Sequence, residues 1–242
     1  MSEKKSKVYI VGFAPSWAET NWQDPDAEIW CLNEFYKVGK TVPNFHADRW
    51  FEIHDLSSPS KNTPEHIDFL KNCPVPLYLQ KKRDDIPNGI EFPVYEIIKW
   101  MEDKGFSGSR YFTNSISFFI MFAAYEGFKE ISIFGVDMST ESEYYHQKAS
   151  AEHMIGLCEG LGIKVHIPQS SELLKCSQLY AFETSNKLRV WVKSQIGELA
   201  KRSQQFAQQQ MQAQQATHQA EIAQAEIRGA KQAYNEWLKR SQ

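Results

Sequence analysis

A mostly parallel, Rossmann-like α/β sheet with helices on both faces, extended by a long C-terminal helix, is the fold the sequence predicts. Three observations lead there. Short apolar runs rich in β-branched and aromatic residues alternate with helical patterns, the rhythm of a parallel sheet covered on both sides. Those runs end on polar or turn residues. Past Pro168 there is no further proline, and the chain from Lys201 to Gln242 is dominated by Gln and Ala, both good helix formers.

The first run, Lys7 to Val11, reads as a buried strand. It breaks at Gly12, and small residues lead to Pro15-Ser16, where a proline suits the first turn of a helix. A strand, a glycine turn and a helix start can turn backbone N–H groups toward an anion. The same pattern also makes an ordinary strand-to-helix turn. Trp17 to Asp26 follows as a helical turn and loop. Its Asp24-Pro25-Asp26 has the acid-x-acid form of a metal-holding motif, but the proline and the position before a strand point to a turn, so no metal site is assigned.

Glu28 to Leu32 is the second strand, ending at Asn33, and Trp50 to Ile53 the third, ending at His54-Asp55. Pro64 opens a short helix to about Lys71. Val75 to Leu79, with its prolines, fits a short strand near a sheet edge. Lys81 to Asn88 is charged and exposed. Val94 to Lys104 is an amphipathic helix stopped by Gly105. Asn114 or Thr113 caps an apolar helix, Ser115 to Tyr125, that ends at Gly127. Its apolarity all round predicts burial against the sheet. Glu130 to Val136 is a central strand ending at Asp137. Ser139 to Lys148 reads as a polar loop carrying Tyr144-Tyr145-His146, Ala149 to Leu161 as a helix, and Ile163 to Ile167 as the last strand.

In open α/β sheets the ligand crevice lies outside the C-terminal ends of the strands. Ser16, Asn33, Asp55 and Asp137 all fall at such ends, so residues far apart in sequence are expected on one rim. Each also has a plain alternative as a turn or cap residue.

Composition narrows the function. The 242 residues are 42% hydrophobic and 13% aromatic, enough for one domain with a sizeable core plus an appendage. We divide the chain at 1–182 and 183–242. A net charge of −3 argues against a general nucleic-acid binder. Cys31, Cys73, Cys158 and Cys176 contain no C-x-x-C pair, and three sit among apolar residues, which favours buried thiols. The start of the chain lacks the apolar core of a signal peptide, and no apolar run approaches a membrane span. A soluble cytoplasmic protein is the expectation. In the tail, Leu199, Phe206, Ala213, Ala220, Ile227 and Tyr234 recur at seven-residue spacing. Arg202, Gln209, Ala216, Ala223, Ala230 and Trp237 lie three residues on, a weak heptad seam for a coiled coil, a homo-oligomer or a partner protein.

With these residues in view, the first 180 or so resemble the bacterial sialyltransferases that cap lipooligosaccharide, together with motility accessory factors and archaeal-type hydroxymethylpterin diphosphokinases. The resemblance is carried by Gly12-Phe13-Ala14-Pro15-Ser16-Trp17 after the first strand and Asn33-Glu34-Phe35-Tyr36 after the second. It continues in Tyr111 to Ser115, in Gly127-Phe128-Lys129-Glu130-Ile131 and in Gly135-Val136-Asp137. It implies a nucleotide-sugar-binding Rossmann domain that works without a metal or resident cofactor. The implied activity is transfer of a sugar from a nucleotide-linked donor, a CMP-linked one in the sialyltransferases, to a glycan acceptor. The strand-end rule and the resemblance together give as ligand-binding residues Gly12, Phe13, Ala14, Pro15, Ser16, Asn33, Asp55, Asn114, Ser115 and Asp137. His146 takes the place of the general base, a role imidazole suits near neutral pH, and Tyr144 and Tyr145 take the place of loop tyrosines that bond the leaving phosphate. The chain departs from the pattern in three places: Phe13 stands for an amide, Ala14 for glycine and Trp17 for a smaller aliphatic residue. The stretches Tyr144–Gly162 and Ile167–Leu174 also resemble proteins encoded by bacteriophages, which would place the chain in the host cytoplasm. Two other readings stay open: a non-catalytic nucleotide or sugar-phosphate binder, and an assembly protein in which an inert Rossmann-like domain is carried by an oligomerising tail.

Overall fold

The structure is a computed structural model. It describes residues 5–57, 63–138, 142–176, 179–182 and 187–240, with the side chains of residues 142–145, 187–190 and 238 outside that description. The chain forms two compact units, Met1–Lys175 and Cys176–Gln242.

The first unit is an α/β Rossmann-like fold. Its strands are β1 (Lys7–Val11), β2 (Ala27–Leu32), β3 (Arg49–Glu52), β4 (Leu77–Leu79), β5 (Gly89–Glu91), β6 (Glu130–Phe134) and β7 (Lys164–His166). They form one seven-stranded sheet in the order β5-β4-β3-β2-β1-β6-β7. Every pairing is parallel. The chain therefore builds outward from β1 to β5, then crosses back to lay β6 on the other side of β1.

The two-residue period of a strand divides its side chains between two cores. From β1, Val8 and Ile10 enter one core with Trp30, Phe51, Phe119 and Phe122. Tyr9 and Val11 enter the other with Ile29, Cys31, Trp50 and Leu77. Both faces are buried, which explains why β1 and β2 read as nearly continuous apolar runs. The first core is closed by α3 (Val94–Asp103), α4 (Ser115–Glu126) and α5 (Ser142–Gly160). The second is closed by α1 (Tyr36–Gly39), α2 (Pro64–Lys71) and the aromatic side chains Trp22 and Phe35. Each fully buried large side chain stabilises the fold by roughly 1.5–3 kcal/mol. Cys31, Cys73 and Cys158 are buried free thiols and Cys176 is exposed.

The apolar helix α4 is capped by Asn114, whose side chain accepts from the Ser117 N–H, and it ends at Gly127 with φ 89°. Tight turns after buried elements need that left-handed conformation, which glycine adopts without a Cβ penalty.

One expectation is corrected, and two short elements are added. The stretch read as a polar loop up to Lys148 is helical from Ser142, so α5 begins well before Ala149. The segment contains neither glycine nor proline to stop a helix, so its polarity alone does not make it a loop. The edge strand β5 lies just beyond the charged stretch Lys81 to Asn88 and was not anticipated, because Gly89-Ile90-Glu91 holds a single large apolar residue. The short helix α1 was not anticipated either. The acidic pair at Asp24 and Asp26 serves the turn: Asp24 accepts from Lys7 Nζ and from the Tyr9 hydroxyl, and from the Asp26 N–H. The Tyr9 hydrogen bond is the largest cause holding the Asp24 carboxyl below its ordinary value, with burial opposing it.

The second unit contains α6 (Lys187–Arg240), a helix of 54 residues. At 1.5 Å per residue it is about 80 Å long. Leu199, Phe206, Ile227, Tyr234 and Trp237 are exposed along it. No helix among the described residues is long and apolar enough to cross a membrane.

Candidate functional site

The sheet reverses its direction of growth between β1 and β6. At such a point the loops leaving the two strands part in opposite directions and leave a crevice. Here the loops meet first. A Cβ on Gly12 would lie 2.4 Å from the Gly135 carbonyl oxygen, and one on Gly135 would lie 2.1 Å from the Gly12 carbonyl oxygen. Gly135 also has φ 64°. Neither position can hold a side chain without parting the two strands.

Ser16 closes this junction from behind. It is 2% exposed, its Oγ accepts from the Gly135 N–H at 2.8 Å and donates to Asp137, and its own N–H donates to Asp137 Oδ2 at 3.3 Å. The Gly12 N–H donates to Phe134 O at 2.8 Å and the Ala14 N–H to Gly135 O at 2.9 Å. The turn that the sequence offers as an anion cradle thus spends most of its N–H groups on the protein itself. Phe13 is the exception: its N–H has no partner among the described residues.

In front of the junction lies a cleft of about 470 Å³. Its walls include Gly12, Phe13, Ala14 and Pro15 from the first loop, Asn33 from the end of β2, and Gly135, Val136, Asp137 and Met138 from the end of β6. Ile116 of α4, Gln147 of α5, and Ser170 and Glu172 from the segment after β7 complete it. That last segment is tied to the rim: Ser171 Oγ donates to Val136 O at 2.8 Å, the Glu172 N–H to Asp137 O at 2.9 Å, and Ser170 Oγ to Glu19 at 2.6 Å. Two residues of the wall other than glycine have positive φ, Asn33 at 51° and Met138 at 42°. Backbone of this kind costs about 1–3 kcal/mol and is concentrated at functional sites. Asn33 Oδ1 is buried with no hydrogen-bond partner among the described residues. Asp137 and Glu172 make the wall acidic, and no Lys or Arg lines it among the described residues.

Phe13 is 44% exposed at the cleft and meets Phe35 edge-on at 5.6 Å. Ser16 lies behind the cleft wall. Asn114 does structural work, capping α4 and donating from Nδ2 to Gln147 O at 2.8 Å. Ser115 is the first residue of α4, next to Ile116 of the wall. His146 is exposed on α5, one residue before Gln147 of the wall, and its carbonyl accepts from Thr113 Oγ1 at 3.0 Å. The side chains of Tyr144 and Tyr145 lie outside the described residues. Asp55 belongs to a separate cavity at the ends of β3 and β4. Gln147, Ser170 and Glu172 were missed because they come from a helix side and a loop with no chemical signature in sequence.

A second constellation was missed too. Glu52, the last residue of β3, is 1% exposed. It accepts from His54 Nδ1 at 2.7 Å and from His66 Nε2 at 2.9 Å. Burial opposes ionisation of Glu52, but hydrogen bonds and charge from the two imidazoles outweigh it and hold the carboxyl at about 2.

No protein-family model matches the chain, and a comparison with curated proteins finds no match. Among solved structures, it is similar to the sialyltransferase CstII from Campylobacter jejuni in complex with cytidine-5'-monophosphate, at 17% identity and a TM-score of 0.46, over 67% of this chain and 79% of that one. It is also similar to the monofunctional alpha-2,3-sialyltransferase Cst-I from the same organism, at 12% identity and a TM-score of 0.48, over 83% and 97% of the two chains. Likenesses of this size leave the chain's own geometry to carry any reading of its chemistry.

Proposed function

We propose that the cleft at the β1–β6 junction binds the nucleotide end of a nucleotide-sugar donor, and that the chain is a sialyltransferase-like glycosyltransferase acting on a glycan acceptor. One observation carries this reading. The separate stretches Gly12–Pro15, Asn33 and Gly135–Asp137, which carry part of the sequence resemblance, converge on one cleft of ligand size at the switch point of the sheet. A CMP-linked sugar is the donor proposed, His146 is the base that the sequence resemblance implies, and no metal ion takes part. Asn33 offers an unused amide oxygen and Phe13 an unused N–H. The carboxylates of Asp137 and Glu172 suit donor hydroxyls better than donor phosphates, since like charges repel.

A thermal-shift panel of CMP, UDP, GDP and their sugar conjugates tests the binding. A true donor at a hundred times its dissociation constant should stabilise the protein by roughly 2.7 kcal/mol. Asn33→Ala should weaken that binding by about 1 kcal/mol, roughly fivefold. A panel without a single shift would remove the reading. With a binding donor in hand, hydrolysis by the intact protein and by His146→Ala tests the base, and a chelator should leave turnover unchanged.

The acidic wall and the aromatic Phe13 favour a second reading, a sensor or sponge that holds a nucleotide or sugar phosphate without turnover. Binding with no donor cleavage would select it.

For the tail we propose self-association through the seven-residue seam of α6. Sedimentation should give a multiple of the 28.0 kDa chain mass. A form truncated near Gln195 should sediment as a monomer. Equal association states in both forms would discard the seam.

A further inference from the structure

The rim holds a second, differently built site two strands from the first. Strands in a sheet are spaced 4.7–4.9 Å apart, so the end of β3 lies roughly 10 Å from the end of β1. The two are physically joined: the Asn33 N–H of the cleft wall donates to Phe51 O at 2.8 Å, and Trp50 Nε1 donates to Asn33 O at 2.9 Å. Three residues past Phe51, His54 faces a cavity of about 280 Å³ with Asp55, Gln80, Lys81 and Arg83.

The chemistry of His54 follows from its partner. An ionised carboxylate only accepts hydrogen bonds, so His54 must donate from Nδ1, and in the neutral imidazole Nε2 then carries the lone pair. Glu52 is held from both sides, because His66 donates to its other oxygen and is itself 1% exposed. The carboxylate cannot swing away, and the imidazole is fixed in one tautomer. A buried carboxylate orienting a half-exposed imidazole is the arrangement that makes histidine an effective proton acceptor. The His54 side chain is 35% exposed, enough to meet a ligand. The charged groups around it are accounted for. Asp55 is engaged by the Ser57 N–H at 2.9 Å and Oγ at 2.8 Å, and Arg83 is paired with Asp85 at 2.9 Å. Lys81 adds a cation to the cavity lining, and the Tyr36 ring stacks on His66 at 6.0 Å.

We propose that the Glu52–His54 pair is a proton-accepting dyad for a hydroxyl group of a polar, saccharide-like ligand held in this cavity. The proposal rests on the group-transfer reading of the neighbouring cleft for the identity of the reaction, but not for the properties of the dyad. In that reaction His54 Nε2, in place of the His146 that the sequence resemblance implies, takes the hydroxyl proton as the ligand oxygen bonds to the donor's anomeric carbon. The bond from that carbon to the nucleotide phosphate breaks, and its electron pair leaves on the phosphate oxygen. Glu52 is a positioning residue.

Two measurements test this together. Carbethoxylation by diethyl pyrocarbonate, read by peptide mass spectrometry, reports the availability of an imidazole lone pair whether or not any donor binds. His54 should react several times faster than the exposed His218 of the tail, and Glu52→Gln should abolish the difference. A His54 no more reactive than His218 overturns the dyad. The second measurement is hydrolysis of CMP-sialic acid and the other sugar conjugates. His54→Gln, whose amide can still donate to Glu52, should lower kcat about a hundredfold or more in a protein that stays folded, and Glu52→Gln should shift the pH profile of kcat. Turnover and pH profile unaltered by His54→Gln overturn the proposal. Fast carbethoxylation with no donor bound removes the transferase reading while supporting the proton-accepting dyad.

Discussion

Gly135→Ala should be among the most damaging small substitutions in this protein, lowering stability by about 3 kcal/mol or more. Two costs combine. An alanine at φ 64° pays about 1–2 kcal/mol for the left-handed conformation. Its Cβ would also stand 2.1 Å from the Gly12 carbonyl oxygen and 2.5 Å from the carbon behind it. Both are backbone atoms, so no rotamer change can relieve the contact, and the ends of β1 and β6 must separate. Separation breaks the Ala14 N–H bond to Gly135 O and the Ser16 contact with the Gly135 N–H. For a domain of this size the melting temperature should fall by about 10 °C. Gly156→Ala is the matched control: the site is open, helical and exposed, and alanine there should be neutral or stabilise by up to about 1 kcal/mol. Equal melting temperatures for Gly135→Ala and the unchanged protein would contradict the close approach at the junction.

Glu52→Ala should cost about 3–5 kcal/mol, because it leaves two imidazole donors, one fully buried, without their shared acceptor. The same group should govern acid stability. Its carboxyl is held at about 2 in the folded protein against an ordinary 4.5. The unfolded chain therefore binds its proton first as the pH falls. The stabilisation is complete above about pH 4.5, drains away as pH drops toward 2, and amounts to something on the order of 3 kcal/mol. Urea melts at pH 6 and pH 3 check this. Glu52→Gln should be less sensitive to the change of pH than the unchanged protein. An identical acid loss in both would mean that other carboxylates set the acid limit.

Much of the architecture is legible because burial on both faces leaves a plain trace. Lys7 to Val11 and Glu28 to Leu32 read as strands, and Ser115 to Tyr125 as a buried helix, since no polar residue interrupts their interiors beyond a serine. The trace fades where burial is partial. Gly89-Ile90-Glu91 is a strand only because β4 lies beside it, and Ser142 to Lys148 at the start of α5 holds no aliphatic residue. At the rim, the strand-end rule finds Asn33 and Asp137, which share a cleft, and Asp55, which belongs to another cavity. Ser16 is at the right place but is absorbed in holding β6. Glu52 and His66 stand 14 positions apart and escape sequence reading. A glutamate ending a hydrophobic strand looks like its first solvated residue until the helix that covers it is seen.

The Ser16–Asp137 contact joins residues 121 positions apart. On a ribosome adding 5–20 residues per second, the serine would wait roughly 6 to 24 s for its aspartate to be made. Throughout that interval β1 would have β2 beside it and an open edge where β6 belongs. The cleft would thus be among the last parts of the nascent chain to close, and any chaperone tending this protein during synthesis would meet it as an uncovered strand.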